Sequence, residues 1–275
     1  MKCIDFDVKF AEFTSKWVKE NAAKYKTPDE MEADFPQVYV KWLNTPMDWL
    51  GRVSPSDYFN QFDDAKMLVK WLRDYFKQNV SVPDLLMDRI AALGESAEAP
   101  LVTLLKKQAR DEDEAKMCAV GILDQMESEA GFPVYIQWLK NSEENDDLAE
   151  RAVTAMSEKA QGWADQLTEA YKDANEFGKA RLLDVMAYVK NDERVYEAIR
   201  DAFISGDNYA LHASYLLKYG DDRALEMLTR VIDAPDITYV EYIEIRNAIE
   251  GLGGLVEGER DFTGDKDYEA LRQMK

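Results

Sequence analysis

Residues 97–126 read AEAPLVTLLKKQARDEDEAKMCAVGILDQM, and this stretch decides the fold. Leu101, Leu104 and Leu105 share one stripe of a helix that the pattern places from Ala97 to Ala109. After the turn ARDEDEAK, a second helix carries Met117, Val120, Leu123 and Met126. Apolar residues at intervals of three and four mark a helix that buries one face and solvates the other. Two such helices joined by a short polar turn form a hairpin of helices.

Working outward, the same arrangement recurs. Comparable helix ends fall at Leu93, Met126, Met156, Val189, Tyr219 and Leu252, spaced 33, 30, 33, 30 and 33 residues apart. Phe132 to Leu139 pairs with Leu148 to Met156, and Trp163 to Tyr171 pairs with Phe177 to Val189. Val195 to Ile204 pairs with Tyr209 to Tyr219, and Ala224 to Ile232 pairs with Val240 to Leu252. A fixed period of this length marks stacked repeats of helix pairs. Asp111 with Glu114 and Thr238 with Glu241 have capping-box spacing, and Asn191 and Asp207 stand where N-caps are expected. Gly220 and Gly253 sit where a left-handed residue ends a helix.

The segments AALGESAEAPLVTLL (91–105) and DEAKMCAVGIL (113–123), with weaker copies downstream, resemble the HEAT-repeat family and its short prokaryotic variants of the phycobilisome-lyase type. The resemblance covers residues 81–253 and implies an all-α fold, an α-α superhelix or solenoid. It carries architecture and little about function.

Residues 1–80 are helical but less regular. Thr27-Pro28-Asp29, Thr45-Pro46-Met47-Asp48 and Ser54-Pro55-Ser56-Asp57 each offer a hydroxyl N-cap, Pro at the first helical position and a carboxylate in the first turn. This region is expected to be an N-terminal helical cap on the solenoid, with residues 254–275 a loose, charged tail carrying a last helical turn. Trp17, Tyr39, Trp42, Trp71 and Phe76 fall at core spacings. Trp49, Tyr58 and Phe59 lie near turns and are candidate surface anchors. WLNTPMDWLGRVSPSDYF (42–59) is similar to a short element at the C-terminal end of some bacterial antitoxins, with Gly51-Arg52 where that pattern has two glycines. A docking role there requires exposed side chains.

Composition narrows the function. Of 275 residues, 46% are hydrophobic, enough for a sizeable core, and only 13 are Gly and 8 Pro. No window approaches a membrane span, and no leader pattern opens the chain, so a cytoplasmic protein is expected. The net charge is -20, with 12 bases against 13 acids in residues 1–80 and 22 against 41 in the remainder. An acidic surface repels phosphate backbones, which argues against nucleic acid as a partner.

The one histidine, His212, leaves no histidine cluster for a metal, and Cys3 and Cys118 are too few for a zinc site. The deoxyhypusine hydroxylases, HEAT-like enzymes, use His-Glu pairs to hold iron; here Ala213 follows His212. No phosphate loop or calcium loop occurs. No cofactor is called for.

A cationic or potentially cationic residue recurs early in each second helix: Lys116, Arg151, Arg181, His212 and Arg246. It reads as a ladder of salt bridges between repeats, or as a basic stripe in which Lys116, Arg151, Arg181 and Arg246 grip an acidic peptide. The sequence therefore favours a non-enzymatic scaffold that binds a basic or mixed-charge protein or peptide. The alternative is an enzyme or accessory of the bilin-lyase or DNA-glycosylase type acting in the same groove.

Overall fold

A computed structural model describes residues 2–258 and 260–273. Among them the regular structure is helical, and the one β-bridge joins Met47 to Val53 across a tight turn. No described helix is long and apolar enough to cross a membrane. The chain divides into two compact units, Met1–Val134 and Tyr135–Lys275.

The first unit holds α1 (Phe6–Asn21), α2 (Pro28–Glu32), α3 (Phe35–Leu43), α4 (Pro55–Tyr58) and α5 (Ala65–Lys77). It continues through α6 (Asp84–Ala92), α7 (Glu95–Leu105) and α8 (Asp113–Gln125). Next along the chain comes α9 (Phe132–Lys140). The second unit follows with α10 (Asp147–Met156), α11 (Ala164–Lys172), α12 (Glu176–Met186) and α13 (Glu193–Ser205). It ends with α14 (Tyr209–Tyr219), α15 (Leu225–Ile232), α16 (Tyr239–Gly251) and α17 (Lys266–Gln273).

In the first unit the aromatic N-terminal helices and the first helix pairs share one core. α5 packs on α6, α7 and α8, while α1 packs on α3. Phe6 meets the rings of Trp42, Trp49, Tyr58 and Phe59, so bulky residues close a small space with few side chains. Trp42 and Trp71 are buried as their spacing requires, and Trp17 and Phe76 are half-buried. Tyr39 departs from the expectation at 42% exposed: it lies against Phe10 and Trp42 with its other side open. Tyr75, next to Phe76, takes the core position, and its hydroxyl donates to the carbonyl of Ile4.

In the second unit, members of a pair pack together (α11 on α12, α13 on α14, α15 on α16), and second helices meet second helices (α10 on α12, α14 on α16). Polar contacts join residues one repeat apart. Arg181 donates to Glu150 at 2.6 Å and Lys218 to Asp184 at 2.9 Å along the second helices. Arg194 reaches Asp165 at 2.7 Å and Arg223 reaches Glu193 at 2.9 Å along the first helices. Gly178 lets α12 approach the end of α9 closely; a Cβ there would stand 2.3 Å from the carbonyl oxygen of Lys140.

Caps show where local chemistry sets the boundaries. Thr238 and Glu241 form the expected capping box, and Thr27 caps α2 by accepting the N–H of Glu30. Gly220 and Gly253 are left-handed, as expected. Elsewhere the cap is one residue later than the spacing suggests. Asp192 caps α13 while Asn191 is left-handed, and Asn208 rather than Asp207 caps α14. Asp111 lies in a short 3-10 turn, and Glu112 precedes α8 without a side-chain cap. Thr45 starts no helix: its hydroxyl donates back to the carbonyl of Lys41.

The C-terminal segment is docked rather than loose, and the helical turn expected there is part of α17. Arg260 donates to the carbonyls of Ile232, Ala234 and Pro235, and Phe262 buries itself among Tyr239, Tyr242 and Tyr268. Asp265 accepts the N–H of Tyr239 at 3.1 Å, holding α17 against α16. Aromatic residues spaced within a charged stretch carry this docking, and the charge masked them.

Candidate functional site

A trough of about 480 Å3 runs between α5 and α7 in the first unit. Lys66, Val69, Lys70 and Arg73 line it from α5; Ala99, Pro100, Thr103, Leu104 and Lys107 line it from α7 and the residues just beyond. Four of these nine are cationic and none is acidic, in a chain of net charge -20.

The helix pattern explains the arrangement. In AKMLVKWLRDYFK, Ala65, Leu68, Val69, Leu72 and Tyr75 turn inward and are buried. Lys66, Lys70, Arg73 and Lys77 then recur at intervals of four, three and four, an arc of about 60° on a helix turning about 100° per residue. Asp64 starts the helix by accepting the N–H of Met67 at 3.0 Å, which fixes the phase of that stripe. On the other wall, Gly94 enters α7 at φ +58°, a conformation that favours glycine. Ala97, Leu101 and Leu105 of α7 are buried behind the trough, and Pro100 presents its ring to it.

Charge is unevenly compensated along the rim. Lys70 holds Asp74 at 2.9 Å within its own helix. Arg73 donates through Nε and Nη2 to Oε1 of Glu112, which lies 3.6 Å from Lys77 and is 5% exposed. Burial opposes the Glu112 charge, but the Arg73 hydrogen bonds and the charges of Arg73, Lys77 and Lys107 outweigh it and hold the carboxyl below its ordinary value. Among the described residues, neither Lys66 nor Lys107 has a carboxylate within ion-pair distance. Both are exposed, so two full charges face solvent beside an apolar floor.

The residues singled out from the sequence lie elsewhere. Lys116 is 5% exposed and holds Asp113 at 2.7 Å at the start of its own helix. Arg151 is half-buried on α10, and Arg181 reaches back one repeat to Glu150. Arg246 pairs with Glu250 one turn on, at 2.8 Å. His212 is buried, and burial pushes its imidazole below the ordinary value although Asp207 opposes this. Lys116, Arg181 and Arg246 thus differ in exposure and in ion-pair partner. Trp49 is 37% exposed and leans on Phe6, with Lys9 over its ring. Tyr58 is half-buried, and Phe59 is core at 1% exposed. Within 42–59, Trp42, Leu50 and Phe59 are buried, whereas a docking element needs them exposed.

The bases of α5 recur at helical spacing but were passed over in favour of the repeat-long ladder; their partner wall lies about 30 residues downstream, and only folding brings the two together. Among the described residues, no group of three or more His, Cys, Asp or Glu is placed to hold a metal ion, and both cysteines are free thiols. No protein-family model matches the chain and comparison with curated proteins gives no match, so a functional proposal rests on the chemistry of this trough.

Proposed function

We propose that the chain is a non-enzymatic protein-binding scaffold of HEAT-like helix pairs whose α5–α7 groove receives an acidic segment of a partner. The observation that carries this is the concentration of four cations around an apolar floor in an acidic protein, two of them, Lys66 and Lys107, without an ion pair among the described residues. Desolvated apolar contact supplies affinity, while charge selects the partner and speeds encounter. The HEAT-like assignment is supported by the period near 32 residues, the contacts of second helices with second helices, and the ion pairs one repeat apart. Net charge suggested a basic or mixed-charge partner, and the groove is the local exception that selects the opposite sign.

The test is site-specific photocrosslinking in native lysate, with the probe at Thr103 in the groove and a control probe at Thr154 on α10. Crosslinks from Thr103 alone, to protein segments rich in Asp and Glu, are expected. Equal capture from both positions, or capture of basic segments only, would contradict the proposal.

A further inference from the structure

We infer that the segment held in the groove is a short amphipathic helix with carboxylates flanking large apolar side chains, an inference that rests on the scaffold proposal above. Both walls of the trough are helices, whose backbone groups bond mostly within themselves, Pro100 of α7 having no N–H to give. They therefore offer no edge to pair with an extended peptide. A helix satisfies its own backbone and needs only side-chain contacts. Lys66 to Arg73 spans about 10 Å and Ala99 to Lys107 about 12 Å at 1.5 Å per residue, so the groove accommodates about two turns.

The floor of Val69, Ala99, Pro100 and Leu104 suits one or two large aliphatic side chains. Lys66 and Lys70, four residues apart, lie about 6 Å apart along one lip and match acids spaced three or four residues apart on a facing helix. Lys107 stands on the opposite wall, so acids on both flanks of the apolar stripe find a cation.

The anion is a carboxylate rather than a phosphate for two reasons. The rim cations that do have partners hold carboxylates, Asp74 and Glu112. A mostly apolar floor adds nothing to the binding of a free phosphate group.

The experiment titrates the full chain against a fluorescein-labelled synthetic helix of about 15 residues with Leu on one stripe and Glu on its flanks, read by anisotropy. Control peptides carry Gln for Glu, or Ala for Leu, and tripolyphosphate serves as a competitor. The Glu/Leu peptide is expected to bind, and each control to bind about tenfold more weakly or worse. Lys66→Glu with Lys107→Glu should weaken it by a similar factor. Tripolyphosphate should compete no better than sodium chloride of equal ionic strength. Lys66→Gln with Lys107→Gln provides a milder variant if the reversal lowers the thermal midpoint. Equal binding of the Gln peptide, indifference to both double substitutions, or specific displacement by tripolyphosphate would overturn the inference. No peptide binding alongside Thr103 crosslinks to acidic segments would sink the helical inference and leave the scaffold standing; failure of both would sink both.

Discussion

Arg73 on α5 and Glu112 in the turn before α8 share one carboxylate oxygen: Oε1 accepts the Arg73 Nε–H at 3.2 Å and an Nη2–H as well, while Oε2 is buried without a hydrogen-bond donor. The pair ties α5 to the turn before α8. Glu112→Gln removes the charge that Arg73 and Lys77 face. A loss of about 1–3 kcal/mol in urea unfolding is expected. The same change frees a guanidinium beside the groove, so acidic peptide should bind more tightly to the less stable variant. A variant as stable as the wild type would show the pair to be incidental.

The same carboxylate sets a pH dependence. Its folded value lies below the ordinary one near 4.5, so its stabilisation is complete above that value and is lost as pH falls through the folded value. The gap in thermal midpoint between wild type and Glu112→Gln should therefore be widest at neutral pH and shrink below about pH 4.5. A gap that widens on acidification would reverse the sign.

Gly178 is a packing requirement. An added Cβ meets backbone, the carbonyl oxygens of Lys140 and Leu139 at 2.3 and 2.8 Å, and backbone cannot swing aside like a side-chain tip. Gly178→Ala should cost about 1–3 kcal/mol despite the better helix propensity of Ala. A neutral or stabilising result in thermal unfolding would mean that α12 can shift away from the end of α9 at no cost.

Thr238 caps α16 reciprocally with Glu241, whose carboxylate accepts the Thr238 N–H at 2.9 Å. Thr238→Ala should cost about 0.5–2 kcal/mol, and Thr238→Ser much less. Equal losses for the two variants would assign the effect to the methyl group.

Arg223 contacts three groups at once. It doubles back to Asp221, reaches Glu193 one repeat earlier and lies 4.1 Å from the centre of the Tyr196 ring. Arg223→Ala should lower the thermal midpoint more than Glu193→Ala, since only the first uncovers the ring. High salt should weaken the ion pairs and leave that ranking intact. Identical midpoints would mean that neither the ring contact nor the Asp221 pair contributes.

The helix pairs were legible because apolar spacing and turn residues act locally. The expected ends at Met156 and Tyr219 coincide with those of α10 and α14. Position-sensitive details slipped by one residue, as at Asn191 and Asp192, because adjacent polar residues compete to cap and only backbone geometry decides between them. The ladder illustrates what periodicity omits. It aligned Lys116, Arg181 and Arg246, yet the first is buried, the second bridges repeats and the third pairs within its helix. The groove was half legible: the stripe on α5 shows in the sequence, but the apolar wall of α7 resembles any core-facing helix until its neighbour is known.

The most direct test of the groove as the binding surface is a charge swap read by anisotropy. The chain carrying Lys66→Glu and Lys107→Glu is titrated against the Glu/Leu peptide and against a version with Lys in place of Glu. If the groove is the site, the reversed chain loses the first peptide and gains the second, which the wild type does not bind. If the reversed chain treats both peptides as the wild type does, the groove is not where the protein holds its partner.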